Sequence, residues 1–330
     1  MSDVVVEADA VSPKPASSID KTNKAAKAIS DEVSNVVLGK EKTIEMVMAG
    51  ILANGNILFE DFPGLAKTLM SNTLADSLGC EFKRIQFTPD LLPADITGSY
   101  FYDPEKNKFK FRKGPIFCNI LLADEINRAP PKTQAALLEA MQEKQVTIGD
   151  ETYLLDDPFL VLATQNPVEQ EGTYPLPEAQ LDRFMYSVFL DYPTINEEID
   201  IVKRTTLSKM QNVTQLFSSQ DILNYQALVL NVPVNDNVIK YAVELVQKTR
   251  PNRPSSSEYI NKYINFGAGP RASQYLILGA KINAVLSGKF SPDIEDVQHV
   301  ASWVLAHRLV KNYKAEAEGV KVNDIITNLL

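Results

Sequence analysis

Residues 56–68 read Asn-Ile-Leu-Phe-Glu-Asp-Phe-Pro-Gly-Leu-Ala-Lys-Thr, and this stretch decides the fold. The apolar run Ile57–Phe59 predicts a buried strand, Pro63-Gly64 predicts a tight turn, and Lys67-Thr68 opens a helix. A strand, a tight loop and a helix N-terminus in this order form a phosphate-binding loop, in which backbone N–H groups face the anion. The lysine then reaches the outer phosphates, and the threonine hydroxyl reaches a metal ion.

The match to the general phosphate-loop pattern, G-x-x-x-x-G-K-[ST], is imperfect. Asp61 stands at the first glycine of the pattern and Ala66 at the second, and the Asp61 carboxylate brings a negative charge. On its own, the stretch could be a plain strand, turn and helix with a surface lysine. Its meaning therefore depends on the rest of the chain. The candidate nucleotide contacts in the loop are Asp61, Phe62, Pro63, Gly64, Leu65, Ala66, Lys67 and Thr68.

The bulk composition limits the class of protein. A chain of 330 residues with 45% hydrophobic content favours two domains with real cores. The net charge of −9 disfavours non-specific binding to nucleic acid or to an anionic membrane. Cys80 and Cys118 form no paired motif, and only two histidines are present, so neither a disulfide framework nor a zinc site is expected. No apolar run approaches the ~20 residues of a membrane span, and the N-terminus does not resemble a signal peptide. We expect a cytoplasmic protein that does not insert into membranes.

Hydrophobic periodicity divides the chain into an α/β part and a helical part. Residues 1–19 are poor in large apolar side chains, which predicts a disordered segment. Strands alternate with helices over residues 20–192, which predicts an α/β core with a mostly parallel sheet between helices. Residues 193–330 show helical periodicity only and predict a small all-helical domain. Within it, Ser291 as N-cap and Pro292 at the first helical position predict the start of the last long helix.

Two hairpins are predicted within the core, at about residues 97–113 and 145–155. The second arm of the first hairpin, Lys108–Arg112, alternates basic and aromatic residues. This alternation is explained either by Phe109 and Phe111 packing on the core or by contact with a substrate or nucleic acid in a pore. The first explanation is favoured because alternation alone predicts an amphipathic strand.

Three polar residues follow two buried strands of the predicted sheet. An apolar run ends in Asp124 and Glu125, and Asn166 follows the next buried strand. In open α/β folds, ligands bind at the carboxyl ends of the strands. Asp124 suits Mg²⁺, through water or beside the Thr68 hydroxyl, and Glu125 suits a general base that polarises the attacking water. The Asn166 amide could orient that water or touch the γ-phosphate.

Two arginines complete the set of candidate catalytic residues. Arg183 precedes the last strand of the core, and Arg271 opens a helix of the second domain. Arginine stabilises phosphoryl-transfer charge through bidentate hydrogen bonds. Each motif is weak alone, since strand-end acids are often solvated turns and single arginines are often surface residues. Together and in this order, they favour a phosphoryl-transfer site with Lys67, Glu125, Asn166, Arg183 and Arg271 as its catalytic residues.

From about residue 20 to 315, the chain resembles the MoxR family of AAA+ ATPases. Several of the matching stretches are longer than generic ATPase signatures. They are Glu60–Thr68, Leu122–Arg128, Gln134–Glu143, Ala163–Pro167, Pro177–Phe184 and Gly269–Ala272. The family's loop commonly has Val-Pro-Gly, so Phe62 is a minor departure, and Asp61 and Ala66 are not serious departures from this family.

The resemblance implies ATP as substrate and Mg²⁺, held by Thr68 and Asp124, as cofactor. It assigns the family's roles as follows: Lys67 and Thr68 to Walker A, Asp124 and Glu125 to Walker B, Asn166 to sensor 1, Arg183 to the arginine finger and Arg271 to sensor 2. Leu38 and Gly39, between the first two helices, sit where the family touches adenine. The helical domain corresponds to the family's lid, and the hairpins resemble its helix-2 and pre-sensor-1 inserts.

The resemblance also implies a ring, usually a hexamer, that acts as a chaperone on partner proteins. Proteins with a von Willebrand factor A domain are frequent partners in the family. In a head-to-tail ring, Arg183 would meet the neighbour's γ-phosphate, and a finger supplied in trans contributes on the order of 10³–10⁵ in rate. Two alternatives remain open at this point. One is a nucleotide-dependent binding scaffold with little turnover, and the other is a nucleic-acid motor, which the negative charge disfavours.

Overall fold

The computed structural model describes residues 15–61, 65–166, 172–206 and 213–330, without the side chains of residues 15–18, 61 and 204–205. The elements up to the end of the main sheet are α1 (Pro15–Ser34), α2 (Glu41–Leu52), β1 (Ile57–Asp61), α3 (Lys67–Ser77), β2 (Phe82–Gln86), α4 (Pro93–Thr97), β3 (Gly98–Asp103), β4 (Lys108–Lys113), β5 (Ile120–Asp124), α5 (Pro131–Glu143), β6 (Gln145–Ile148), β7 (Glu151–Leu154), β8 (Leu160–Gln165), α6 (Glu178–Leu181) and β9 (Tyr186–Leu190). The elements that follow are α7 (Ile195–Thr205), α8 (Ser219–Leu230), α9 (Asp236–Lys248), α10 (Glu258–Tyr263), β10 (Ile264–Phe266), α11 (Pro270–Leu286), α12 (Ile294–Leu305), β11 (Val310–Lys311), α13 (Tyr313–Ala317) and α14 (Val322–Leu329). Short 3-10 turns lie at Ile126–Arg128 and Ala306–Arg308.

A five-stranded parallel sheet in the order β2-β5-β8-β1-β9 forms the centre of the core. All five residues of β5 are buried, as a continuous apolar run predicts for a strand covered on both faces. Alternate residues face opposite sides, so Ile120 and Leu122 pack into one hydrophobic cluster and Leu121 into the other. The predicted α/β core is confirmed, and its parallel strands bring the ends of β1, β5 and β8 to one edge.

The second part of the chain is helical, and its packing is continuous with the core. Buried residues of α9, α11 and α12 belong to the same hydrophobic cluster as α2 and one face of the sheet. The Gln226 side-chain amide on α8 donates to the Ile51 carbonyl of α2 at 2.7 Å. A short antiparallel pair, β10 with β11, is added to the helices that the sequence predicted.

Two helix starts differ from the sequence-based predictions. Helix α12 begins at Ile294 with Asp293 as N-cap, and not at Ser291–Pro292. Asp293 and Asp296 form a reciprocal capping box: the Asp296 N–H donates to the Asp293 carboxylate at 3.2 Å, and the Asp293 N–H donates to the Asp296 carboxylate at 2.8 Å. This pair satisfies two backbone donors, so it determines the start of the helix.

Helix α1 begins at Pro15, so residues 15–19 are helical and the disorder predicted for them is wrong. Ile19 is buried in a small cluster with Val232 and Val285 from the helical part. This tertiary contact extends the helix beyond what its local composition predicts. Residues 1–14, the rest of the predicted disordered segment, lie outside the described residues.

Both predicted hairpins are present. β3 pairs with β4, β6 pairs with β7, and the two hairpins pack against each other. The Phe111 ring stacks on Tyr153 with centroids 4.3 Å apart, whereas Phe109 is 70% exposed. Packing therefore explains Phe111 but not Phe109. Across the described ranges, no helix has both the length and the apolar character to cross a bilayer.

Candidate functional site

The Asp124 carboxylate is the centre of a polar group at the carboxyl edge of the sheet. Its Oδ1 accepts a hydrogen bond from Thr164 Oγ1 on β8 at 2.7 Å and lies 3.7 Å from Lys67 Nζ on α3. Its Oδ2 accepts from Arg84 Nη2 at 2.6 Å and from Arg84 Nε at 3.1 Å. Residues from β2, β5, β8 and α3 therefore meet at one carboxylate.

Asp124 is held in its ionised form. Burial raises the pKa of its carboxyl. Hydrogen bonds from Thr164 and Arg84 and the charges of Lys67 and Arg84 lower it by more than burial raises it, so the pKa lies below its ordinary value. An ionised carboxylate is the hard oxygen ligand that Mg²⁺ prefers. The donor chemistry therefore fits a magnesium ion held by Asp124 together with the hydroxyl of Thr68, which is exposed in the first turn of α3.

The N-terminus of α3 is suited to an anion. Ala66, its N-cap, has φ 57° in the left-handed region and makes no side-chain cap hydrogen bond. The Ala66 side chain therefore does not cap the first backbone N–H groups of the helix, and N–H groups at a helix N-terminus favour an anion such as phosphate. Leu65 is buried and anchors the loop. The loop residues Phe62, Pro63 and Gly64 and the Asp61 side chain lie outside the described residues.

Glu125 is held by side chains on two sides. Its Oε2 accepts from Gln86 Nε2 at 2.8 Å and from Arg128 Nε at 2.7 Å. Its backbone is left-handed, with φ 56°, and its N–H donates to Thr164 Oγ1 at 2.8 Å. Thr164 therefore fixes both acids, accepting from the main chain of one and donating to the carboxylate of the other.

Sequence reasoning did not identify Arg84, Gln86 or Thr164 as site residues. Arg84 Nη2 also donates to Gln86 Oε1 at 2.6 Å, so the two side chains form one network on β2. The available signal was their spacing of two residues at the end of an edge strand, which places them on one face of the sheet. For Thr164, the signal was a polar residue ending an otherwise apolar strand.

Asn166 lies at the end of β8, beside the strand that carries Asp124 and Glu125. Its main-chain carbonyl accepts from Asn127 Nδ2 at 3.5 Å. The Asn127 carbonyl in turn accepts from the Tyr174 N–H at 2.6 Å. The turn after β5 and the segment after β8 are thereby tied together, which places Asn166 on the same edge as the two acids.

The two candidate arginines make their hydrogen bonds away from the two acids. Arg183 Nη1 donates to the Leu138 carbonyl of α5 at 2.9 Å. Arg271 Nη1 pairs with Asp182 Oδ2 at 3.2 Å. The structure therefore groups Lys67, Asp124, Glu125 and Asn166 at the sheet edge, and it places Arg183 and Arg271 at the boundary between the core and the helical part.

The loop that contains Leu38 and Gly39 approaches the start of the helical part through Gly39 and Lys40. Gly39 has φ +67°, and a Cβ at this position would come within 2.7 Å of the Glu197 side chain on α7. Lys40 Nζ donates to the Asp191 carbonyl at 2.6 Å. The left-handed φ favours glycine at position 39, whereas the Glu197 side chain is flexible and could move away from a Cβ.

Comparison with known proteins identifies the family of this architecture. A family model described as "ATPase family associated with various cellular activities (AAA)" matches residues 56–186, and an AAA lid domain model matches residues 257–329. The chain is 42% identical to Chaperone MoxR1 of Mycobacterium tuberculosis over 91% of this chain and 79% of that protein. It is 43% identical to the uncharacterized protein YeaC of Bacillus subtilis over 91% of each chain. A crystal structure from Cytophaga hutchinsonii, described as a candidate ATPase, is 46% identical, covers 95% of each chain and superposes with a TM-score of 0.89.

Proposed function

The chain belongs to the MoxR family of AAA+ ATPases, and on that premise we propose that it hydrolyses ATP with Mg²⁺ as a ring-forming chaperone of partner proteins. One observation carries the ATPase proposal. Lys67, the first residue of α3, lies 3.7 Å from the ionised carboxylate of Asp124 at the end of β5. A cation and a helix N-terminus beside a metal-binding carboxylate are the parts that a nucleotide triphosphate requires.

In this proposal, the residues at the sheet edge act on the phosphates, the metal ion and the attacking water. Lys67 and the first N–H groups of α3 bind the outer phosphates, and Thr68 and Asp124 hold Mg²⁺, which neutralises charge on the phosphate oxygens when bound. Glu125 accepts the proton of the attacking water, and Asn166 orients that water. Gln86 and Arg128 both contact Oε2 of Glu125, so the carboxylate can accept this proton on Oε1 while they hold it in place.

Two residues act from the boundary between the core and the helical part. Arg183 stabilises the γ-phosphate of a neighbouring subunit, and Arg271 stabilises the nucleotide of its own subunit. Leu38 and Gly39 contact the base, which is the role that the resemblance to the family gives to this loop. Residues 20–192 then serve as the nucleotide-binding core and residues 193–330 as the lid.

Steady-state ATP hydrolysis tests the proposal, with the Lys67→Ala and Glu125→Gln variants as controls. We expect the wild type to turn over with Mg²⁺, and Glu125→Gln to lose on the order of 10²-fold or more in rate while retaining nucleotide binding. A wild type that binds nucleotide but hydrolyses it no faster than these variants, even when concentrated, would show that the protein is a binding scaffold.

The chaperone role is supported by the relative described as Chaperone MoxR1. We propose a client with a von Willebrand factor A domain, in the cytoplasm, and a hexameric ring as the working form. Affinity capture with the Glu125→Gln variant in the presence of ATP tests the client, because a subunit that binds but does not hydrolyse ATP retains its partner. Recovery of the same proteins with the Lys67→Ala variant would count against an ATP-dependent client.

A further inference from the structure

Asp182 binds two arginines at the boundary between the core and the lid. Its Oδ2 lies 3.2 Å from Arg271 Nη1 on α11, and its Oδ1 accepts from Arg308 Nε at 2.7 Å. Asp182 directly precedes Arg183 in the segment that leads into β9. The carboxylate thus joins a core segment to two separate elements of the lid.

The two arginines differ in how firmly they are held. Arg308 is buried, with 2% of its side chain exposed, and it also donates to the carbonyls of Asp182, Phe184 and Val304. The Arg271 side chain is 37% exposed, and its guanidinium donates to the Asp182 carboxylate. Arg308 is therefore a fixed part of the boundary, whereas Arg271 can leave at small cost.

We propose that Asp182 is a positioning residue that holds Arg271 on the core until a γ-phosphate takes its place. The inference rests on the proposed function, in which Arg271 contacts the nucleotide. The γ-phosphate and the Asp182 carboxylate compete for one guanidinium, so the ion pair opposes nucleotide binding. We call the Asp182–Arg271 ion pair the latch. When Arg271 leaves, Arg308 still neutralises Asp182, so opening the latch does not leave the carboxylate without a cation.

The matched variants Asp182→Asn and Asp182→Glu test this latch. Asparagine keeps an oxygen that can accept from Arg308 but removes the charge that attracts Arg271. We expect Asp182→Asn to bind the non-hydrolysable analogue AMP-PNP about two- to fivefold more tightly than the wild type, the range for a half-exposed ion pair. Its affinity for ADP should change less, and Asp182→Glu should bind both nucleotides like the wild type.

A double-mutant cycle separates positioning from a general structural effect. In an Arg271→Ala background, Asp182→Asn should no longer change the affinity for AMP-PNP, because the group on which it acts is gone. If Asp182→Asn increased the affinity for AMP-PNP equally with and without Arg271, the latch would be overturned. The latch would also be overturned if folded Asp182→Asn bound AMP-PNP with the same affinity as a wild type that binds it normally. Failure of the wild type itself to bind AMP-PNP would instead overturn the proposed function.

NMR of the wild type provides a second test, in which the only variant needed is Arg271→Ala, used to assign the signals. The guanidinium NMR signals of Arg271, assigned by their absence in Arg271→Ala, should shift when AMP-PNP and Mg²⁺ saturate the protein. They should shift less with ADP. Arg271 signals that stay at their nucleotide-free position with saturating AMP-PNP would overturn the proposal.

Discussion

Thr164 is fully buried at the end of β8, and its hydroxyl links the two acids of the site. It donates to Asp124 Oδ1 at 2.7 Å and accepts from the Glu125 N–H at 2.8 Å. Thr164 and Asp124 are both buried, so solvent cannot easily replace the hydrogen bond between them. A single hydroxyl therefore stabilises the strained left-handed backbone of Glu125 and the ionised state of Asp124.

Substituting Thr164 with valine should test this double role. Valine has nearly the same shape but leaves the Glu125 N–H without its acceptor, and we expect a loss of about 1–3 kcal/mol in the free energy of unfolding at pH 7. Urea denaturation measures the loss. Thr164→Ser, which retains the hydroxyl, is the matched control and should lose clearly less. Equal stability of the valine variant and the wild type would refute the role of the hydroxyl.

The pH dependence of this loss has a definite sign. The folded pKa of Asp124 is depressed, so its contribution to stability is fully present above the unfolded value, near 3.9, and is lost as pH falls through the folded pKa. Removing the Thr164 hydroxyl raises the folded pKa and reduces this contribution. The difference between the valine variant and the wild type should be constant from pH 7 to about pH 5 and smaller below about pH 4. A difference that grows on acidification would contradict this account.

At the scale of elements, the two hairpins form one unit through a small aromatic and polar cluster. Tyr153 stacks on Phe111 at 4.3 Å, and its hydroxyl lies 2.9 Å from the Tyr100 hydroxyl. Both hydroxyls donate to Glu151, and these hydrogen bonds hold the pKa of its carboxyl below the ordinary value. The hairpins are two-stranded and would be marginally stable alone, so each depends on the other.

Tyr153 lies on β7, and truncating it should destabilise the other hairpin, formed by β3 and β4. Tyr153→Ala removes both the stack and the hydrogen bonds, and we expect faster amide hydrogen exchange in β3 and β4 by about threefold to tenfold. Tyr153→Phe keeps the stack and should show a smaller change. Exchange in β5 and β8 serves as the internal reference. Unchanged exchange in β3 and β4 of the alanine variant would mean that the hairpins are independent.

At the scale of the whole molecule, the role that we propose for Arg183 requires a second subunit. Its guanidinium donates to the Leu138 carbonyl of α5 and lines a cleft of about 240 Å³ with Glu139 and Glu143. The acids of its own subunit lie at the sheet edge with Lys67. In the proposed head-to-tail ring, this arginine would contact the nucleotide of the neighbouring subunit, so hydrolysis would depend on assembly.

Mixing two inactive variants should restore hydrolysis if Arg183 acts in trans. Glu125→Gln supplies an intact Arg183, and Arg183→Ala supplies an intact Glu125. Random assortment in an equal mixture then gives about a quarter of the sites both intact groups. We expect the mixture to hydrolyse ATP well above the mean of the two separate variants, and increasingly so with protein concentration. A rate equal to that mean would show that Arg183 acts within its own subunit or does not act.

The sequence by itself determined the order of the strands and helices of the core. Apolar runs ending in polar residues predict strands such as β5 and β8, because a strand covered on both faces must be apolar along its length. Strands alternating with helices predict a parallel sheet, and parallel strands bring Lys67, Asp124 and Asn166 to one edge. These inferences depend on local periodicity and on chain order, which a single sequence displays directly.

Only the tertiary structure decided which distant side chains meet. Arg84 reaches Asp124 across 40 positions, and Arg308 reaches Asp182 across 126. Such pairs depend on the order and register of strands and on how the lid packs against the core, and periodicity carries no information about either. For the same reason, the early start of α1 follows from the burial of Ile19 against the lid, which its own flanking residues do not indicate.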